Sequence, residues 1–271
     1  MKRAIAKARS TFVHAIVGRV VRLYFDTSYR LLTGSDAGRR LLAHGAVGLG
    51  PFHGYFTVDD RDVLLADLAP RPDDRLLDLG CGIGGIAIEL HRRSGVKILG
   101  VDISPEAVLG ATARARRAGI EGSVQFLTGD LARPPLVGAT RAYAVDSLMF
   151  IPDLVGALRG IGMALGTNGR LFATLLILGS RAEARLRGTL QAVGGDVVRL
   201  EDVTPALAES SRARAGAAAA LRRDGRTSRR GGLAMRLVIA EETVIGALVK
   251  NGRVTRWRFV VGFGTLPGRD V

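Results

Sequence analysis

The sequence predicts an α/β protein whose core is a parallel, doubly wound sheet. From residue 75 onward, short apolar runs alternate with segments of helical periodicity. Runs such as RLLDLG and GRLFATLLIL are mostly apolar, which is typical of strands buried on both faces. Strands that alternate with helices at this spacing indicate parallel strands joined by crossover helices.

The predicted elements follow one another in a regular order. After the first strand comes the helix GGIAIELHRRS, and a later helix opens at Ser104, Pro105 and Glu106. These three residues suit an N-cap, the first helical position and the positive end of the helix dipole. The predicted strands are RLLDLG, VKILGVDIS, SVQFLTGD, RAYAVDSLMF, GRLFATLLIL, DVVRLEDV and, after a long insertion, VTRWRFVVGF.

The chain is strongly basic, with 39 Lys and Arg against 25 Asp and Glu and a formal net charge of +14. Such an excess favours nucleic acid, an acidic membrane surface or a phosphorylated substrate as partner, but a compositional bias toward arginine also produces it. Cys81 is the only cysteine, so a reducing compartment is indicated. We predict neither a signal peptide nor a transmembrane helix, and therefore a cytoplasmic protein.

Two segments lie outside the alternation. In the first, apolar residues recur at helical spacing from Phe12 to Tyr24, among basic side chains such as Lys2 and Arg22. Such a helix lies on an anionic membrane or packs over a cleft of the core, and we favour the cleft. The second, 204–253, begins with an Ala- and Arg-rich stretch that predicts a helix fraying into a mobile basic loop. The apolar helix LVIAEETVIGALV follows it.

The stretch LLDLGCGIGG places Asp78 at the end of a strand and Gly80, Gly82 and Gly84 at the start of a helix. Glycines there let the backbone approach a ligand, and the helix presents free N–H groups. Asp102 follows at the tip of the second strand, where a carboxylate accepts both hydroxyls of a ribose. The pattern predicts a nucleoside-bearing cofactor. The spacing fits a dinucleotide or a cofactor with an amino acid, and the position of Asp78, suited to an ammonium group, favours the second.

Five motifs in order resemble those of the class I S-adenosylmethionine-dependent methyltransferases: LDLGCGIGG, GVDIS, LTGDL, VDSLMFIPD and LGTNGRLFATL. The resemblance implies a Rossmann-like, seven-stranded sheet, mostly parallel with the last strand antiparallel. N-terminal helices and a helical insertion before the last strand complete this fold. The implied cofactor is S-adenosyl-L-methionine. The implied cofactor-binding residues are Tyr55, Asp78, Gly80, Cys81, Gly82, Gly84, Asp102, Ile103, Asp130, Leu131, Asp146 and Ser147.

The aromatic stretch FHGYF, residues 52–56, resembles a segment of methyltransferases that act on small molecules such as quinones, sterols and sugars. In that branch the segment closes over the cofactor. Aromatic faces stabilise a cation such as a sulfonium by ~0.5–2 kcal/mol. The alternative is that Phe52 and Phe56 only fasten the N-terminal segment to the core.

The fourth strand departs from some oxygen-methylating relatives, because Met149 and Phe150 stand where those relatives carry histidines. Either another residue is the base, or the reaction proceeds by proximity without a strong base. Met149 and Phe150 also predict an apolar acceptor pocket. The candidate catalytic residues are His53, Tyr55 and Asp146.

We therefore predict an enzyme that transfers a methyl group from S-adenosylmethionine to a small hydrophobic or anionic acceptor, by in-line displacement. The methylated atom stays open among carbon, nitrogen and oxygen. Two alternatives are an RNA methyltransferase that uses the basic surfaces and a non-catalytic binding protein of the same fold. A nucleic-acid partner is disfavoured, no metal is expected, and peripheral membrane contact and oligomeric state stay open.

The expected division of the chain has four parts. Residues 1–60 form a helical cap with the aromatic lid, and 61–203 form the cofactor-binding core. Residues 204–253 form a basic helical insertion over the acceptor pocket, and 254–271 provide the final strand.

Overall fold

The computed structural model describes residues 2–44, 52–224 and 226–264, with side chains from residue 17 onward. Three helices precede a region in which strands and helices alternate. The elements are α1 Lys2–Thr33, α2 Asp36–His44, α3 Val58–Leu68, β1 Arg75–Leu79, α4 Gly85–Ser94, β2 Lys97–Asp102, α5 Pro105–Arg117, β3 Val124–Thr128, β4 Arg141–Val145, α6 Leu154–Leu165, β5 Gly169–Leu178, α7 Ala182–Val193, β6 Asp196–Asp202, α8 Thr204–Arg223, α9 Arg229–Lys250 and β7 Val254–Phe263.

The described strands form one seven-stranded sheet in the order β3-β2-β1-β4-β5-β7-β6. Strands β1 to β5 pair in parallel with one another, whereas β7 runs antiparallel to both β5 and β6. The predicted Rossmann-like fold, including its antiparallel last strand, is confirmed. The strand order reverses between β1 and β4, and ligands of open α/β sheets bind in the crevice at such a point.

Both faces of the central strands are buried, which explains why β1 and β5 are mostly apolar. Neighbouring residues of β1 point to opposite faces, and Leu76 and Leu77 are both fully buried. Leu77 packs in one core cluster with Leu158 of α6. Leu76 packs in a second cluster with Leu64 of α3 and Leu90 of α4. The two clusters hold the carboxyl ends of the central strands in fixed positions.

The Ala- and Arg-rich stretch before β7 is helical as predicted, but the predicted fraying into a long basic loop is wrong, because the helix continues to Arg223 and the next helix begins at Arg229. These two long helices, α8 and α9, pack against each other. Alanine has the highest helix propensity, and the buried side chains of Ala217 and Ala218 pack in a core cluster with Leu42 and Met235. Ser228 caps α9, well before the apolar run, by accepting a hydrogen bond from a backbone N–H in the first turn.

Helix α1 lies over the crevice at the carboxyl ends of the strands. The Phe25 ring lies 5.2 Å from that of Phe150, and a Cβ at Gly18 would lie 3.7 Å from Cδ1 of Ile103. Position 1 and the side chains of residues 2–16, with most of the predicted basic face, lie outside the described part. In the part that is described, no helix is long and apolar enough to cross a membrane.

Candidate active site

A cleft opens at the carboxyl ends of β1, β2 and β4, beneath α1. The wall from the strand ends includes seven of the residues that the sequence predicts for cofactor binding. Those seven are Gly80, Asp102, Ile103, Asp130, Leu131, Asp146 and Ser147. Aromatic side chains of α1 form the opposite wall, with Phe25 and Tyr29 facing the strand ends, and His53 completes it.

The turn after β1 is built for close approach of the backbone. Gly80 has a φ of 93°, in the left-handed region, and a Cβ there would lie 2.3 Å from Cβ of Ser147. The N–H groups of Gly80 and Cys81 donate to the carbonyl of Val101 at 2.8 and 3.1 Å. Only glycine fits at position 80, because any side chain would enter the cleft wall.

The sequence also predicts Cys81, Gly82 and Gly84 of this turn for cofactor binding, but they are not among the residues that line the cleft. The Cys81 thiol is buried, burial raises its pKa, and the side chain packs close to Gly100. A Cβ at Gly84 would lie 2.7 Å from Cζ of Phe126, so this glycine allows α4 to pack on the sheet. Gly82 contributes its N–H to the Asp102 carboxylate.

Asp102 is the last residue of β2, and each oxygen of its carboxylate accepts one hydrogen bond from the backbone. Its Oδ2 accepts from the N–H of Gly82 at 2.8 Å, and its Oδ1 accepts from the N–H of Ser104 at 2.9 Å. Each carboxylate oxygen accepts more than one hydrogen bond, so the carboxylate retains capacity for two hydroxyl groups. Burial raises the pKa of Asp102, and these two N–H groups oppose that shift. The arrangement fits a ribose.

Asp78 lies behind the turn and is 2% exposed. Its Oδ2 and the nearby hydroxyl of Tyr143 lack a hydrogen-bond partner among the described residues. Burial raises the pKa of Asp78 to about 8, the nearby Tyr143 hydroxyl opposes that shift, and the Asp102 carboxylate adds to it. A buried carboxyl group without a partner beside a glycine turn fits a cofactor that carries an ammonium group, such as S-adenosylmethionine.

The structure separates the residues of the FHGYF stretch. His53 enters the cleft, with its ring centroid 6.2 Å from that of Phe25 and 6.0 Å from that of Tyr29. Burial, with a smaller contribution from Arg214, lowers the pKa of His53 to about 3, so the imidazole is neutral. Phe52 and Phe56 instead pack into the core cluster beneath α3 and α4.

Tyr55 lies outside the cleft, because its side chain turns toward α9. Its hydroxyl donates to Oε2 of Glu242 at 3.1 Å, and its ring packs with Leu207 and Val254. Burial raises the pKa of Tyr55, with Glu242 as the next cause. This position argues against the cofactor contact that the sequence predicted for Tyr55. Its side chain instead lines the second cavity described below, and its catalytic role stays a prediction.

Asp146 borders the cleft, but its carboxylate is fully engaged. Oδ1 lies 2.9 Å from Nε of Arg256 and accepts from the hydroxyl of Thr174, and Oδ2 accepts from the N–H of Tyr55 at 3.1 Å. Arg256 is completely buried and also donates to Asp60 at 2.9 Å. Asp146 therefore positions the backbone of the aromatic stretch, and proton transfer to it would disrupt an ion pair.

A second cavity of about 690 Å³ adjoins the cleft. Phe150, Ile151 and Pro152 line both spaces. The other walls are mostly apolar and come mainly from β5, α7 and α9, with contributions from the segment before α6, the start of α6 and the start of β7. They include Met149, Leu154, Leu175, Leu176, Ile177, Leu178, Leu186, Ile245, Leu248 and Val254.

Residues 70–193 match the family model described as a methyltransferase domain. The chain contains a methyltransferase domain. Over these residues the match and the observed fold bear out the predicted methyltransferase domain, and S-adenosylmethionine is the cofactor that such a domain implies. The residue roles assigned from the sequence remain predictions.

The methyltransferase domain is similar to parts of several longer proteins. The 27-O-demethylrifamycin SV methyltransferase of Amycolatopsis mediterranei is 33% identical over 131 residues, or 44% of this chain and 48% of that protein. A 23S rRNA (uracil(1939)-C(5))-methyltransferase of Methylococcus capsulatus is 36% identical over 97 residues, or 36% of this chain and 21% of that protein. The chain thus spans less than half of the length of both relatives.

Among solved structures, that of the cyclase SpnF superposes with a TM-score of 0.73 at 20% identity. The match covers 92% of this chain and 97% of SpnF. At this identity the likeness shows the fold alone. SpnF is named as a cyclase and not as a methyltransferase, so the reaction of this methyltransferase domain needs evidence from its own site.

Proposed function

We propose that the chain binds S-adenosylmethionine in the cleft and methylates a small, largely apolar molecule held in the second cavity. The observation that carries this proposal is the shared wall of Phe150, Ile151 and Pro152. Because this wall borders both spaces, a molecule bound in the cleft and one bound in the second cavity can contact each other. Holding reactants in contact in this way supplies much of the catalysis of a displacement reaction.

The strand ends supply the proposed cofactor contacts. Asp102 accepts the ribose hydroxyls, and Ile103 and Leu131 flank the adenine. Asp130 faces the adenine amino group; its Oδ1 already accepts from the N–H of Ala132 at 2.9 Å. Asp78 and the backbone at Gly80 receive the amino-acid end, where the unpartnered Oδ2 of Asp78 supports the role.

S-adenosylmethionine supplies a methyl group bonded to a sulfonium sulfur, which needs no further activation. The chain contributes orientation and exclusion of water. The rings of Phe25, Tyr29 and Phe150 gather at the cleft, and aromatic faces stabilise cations by ~0.5–2 kcal/mol. His53 is neutral there and offers a ring nitrogen as a hydrogen-bond acceptor without adding a positive charge beside the sulfonium.

RNA methylation is the second candidate, favoured by the ribosomal RNA methyltransferase relative and the net charge of +14. The alignment with that relative covers 21% of its length. The apolar walls of the second cavity favour a hydrophobic acceptor. We therefore place small-molecule methylation first.

Methyl-labelled S-adenosylmethionine distinguishes these functions. The protein is incubated with the organic extract of a bacterial lysate or with total RNA, and the label is followed into each. We expect label in the organic fraction, and none with a Gly80→Ala variant. Label in RNA alone would support the second candidate. Cofactor binding without label in either pool would support a methyltransferase fold that catalyses no methyl transfer.

A further inference from the structure

Helix α9 carries two neighbouring glutamates in a segment that is otherwise apolar. Glu242 is 3% exposed, and both oxygens of its carboxylate have partners inside the protein. Its Oε2 accepts from the Tyr55 hydroxyl at 3.1 Å, and its Oε1 lies 2.8 Å from Nε of Arg214. Glu242 is therefore an internal partner that fixes Tyr55 and neutralises Arg214.

Glu241 differs from its neighbour, because it lines the second cavity. None of the ion pairs found among the described residues involves Glu241. Its close polar neighbour is the hydroxyl of Tyr24 on α1. Burial and the Glu241 carboxylate together raise the pKa of Tyr24 to about 12, so this hydroxyl keeps its proton. With Arg214 paired to Glu242, the cluster presents one net negative charge to the cavity.

This carboxylate stands at the side of the cavity that adjoins the cleft. The ring of Tyr24 lies 5.0 Å from that of Phe25, and Phe25 lies 5.2 Å from Phe150 in the shared wall. The basic side chain of the cavity, Arg185, belongs to α7, and its guanidinium donates to the carbonyl of Leu178 at 2.6 Å. A ligand in the cavity thus meets an acidic group near the cleft.

We propose that Glu241, together with Tyr24, binds a hydrogen-bond-donating group of the acceptor, such as a phenol, an alcohol or an amine. This inference rests on the proposed function and narrows it, because the sequence left hydrophobic and anionic acceptors open. The apolar walls take the body of the molecule, and the carboxylate selects a donor at the end near the cleft. An anionic group at that end is repelled.

Four ligands with one apolar body test the proposal: para-octylphenol, para-octylaniline, para-octylanisole and para-octylbenzoate. Their affinities are measured by calorimetry, with and without S-adenosylhomocysteine. The variants are Glu241→Gln and, as control, Glu209→Gln, which removes an exposed glutamate of α8. Tyr24→Phe is a second variant that leaves the carboxylate in place. The affinity for S-adenosylhomocysteine is measured for every protein. In the variants it shows whether the fold is intact, and in the wild type it tests the proposed cofactor site.

We expect the phenol and the aniline to bind roughly tenfold or more tightly than the benzoate, since a hydrogen bond to a charged group contributes that much. The anisole should fall between them. Glu241→Gln should abolish the discrimination, Tyr24→Phe should reduce it, and Glu209→Gln should preserve it. Equal or tighter binding of the benzoate, discrimination that survives Glu241→Gln, or no binding of any of the four would overturn the inference. If the wild type discriminates among the four ligands as expected but does not bind S-adenosylhomocysteine, the result contradicts the proposed function and not the role of Glu241.

Discussion

Asp146 and Arg256 form a buried ion pair between the end of β4 and the first part of β7. Nε of Arg256 lies 2.9 Å from Oδ1 of Asp146, and Nη1 lies 2.9 Å from Oδ2 of Asp60. Asp60 also caps α3, accepting from the N–H of Thr57 at 3.1 Å. One arginine thus fastens the segment that carries His53 to both the sheet and the first turn of α3.

Replacing Arg256 with methionine should destabilise the protein by about 3–5 kcal/mol, because Asp146 would remain buried without a charged partner and Asp60 would keep only Arg258. Urea unfolding measures this change. Arg93→Met is the matched control, since Arg93 pairs with Glu89 at 2.7 Å on the exposed face of α4. Its loss should cost less than about 1 kcal/mol. Equal costs for the two variants would contradict a structural role for the buried pair.

Asp78 should make the cofactor-free protein less stable as the pH rises. Its pKa in the folded state is about 8, against an ordinary value of 3.8, so the folded state holds a proton that the unfolded state releases. That contribution is fully present below about pH 4 and is lost as the pH rises toward 8, by about 1.4 kcal/mol per pKa unit. Asp78→Asn should flatten the decline between pH 5 and 8 in urea unfolding.

Asp73→Asn serves as the control for this titration, because Asp73 is exposed before β1. It should leave the slope unchanged. If the wild type and Asp78→Asn show the same slope, Asp78 is not the group that carries the shifted pKa.

Gly80→Ala should abolish cofactor binding. The added Cβ would lie 2.3 Å from Cβ of Ser147 in the cleft wall. Gly119→Ala is a fitting control, because Gly119 also has a positive φ, 68°, but nothing lies within 4 Å of a Cβ there. The control should lose about 1 kcal/mol of stability and keep its affinity. Unaltered calorimetric affinity in Gly80→Ala would remove the glycine turn from the cofactor site.

His53 should stay neutral across the physiological range. Burial lowers its pKa to about 3, so its ring carbon protons should show no titration shift between pH 5 and 8 in NMR spectra. A His53→Gln spectrum assigns the signal, and a histidine-containing peptide that titrates near 6.5 provides the reference. A midpoint between pH 6 and 7 would show a solvated imidazole and contradict the burial of His53 in the cleft.

The sequence was sufficient to predict the sheet, because strands buried on both faces need apolar runs, and the glycine turn, because its conformation excludes side chains. It left open how the aromatic stretch divides between the core and the cleft. Phe52 and Phe56 enter the core while His53 enters the cleft, a choice made by packing against α1 and α3. Adjacent side chains in an irregular segment have no fixed period that would reveal this division.

The ion pairs between residues that are distant in the sequence could not be predicted either. Arg256 and Asp60 are separated by 196 positions, and only the fold brings them together. A signal was present nevertheless, since Arg256 and Arg258 interrupt an otherwise apolar strand, and Glu241 and Glu242 interrupt an apolar helix. Charged residues at positions that are otherwise buried indicate partners inside the fold or a ligand.

The central claim is that the cleft holds S-adenosylmethionine with its ribose on Asp102. Calorimetric titration of the wild type and of Asp102→Asn with S-adenosylmethionine, with NAD as the control ligand, tests it most directly. The wild type should bind S-adenosylmethionine and not NAD, and the variant should bind roughly tenfold or more weakly, since hydrogen bonds to a charged acceptor are lost. Binding of NAD, or equal affinity of the two proteins for S-adenosylmethionine, would contradict the account.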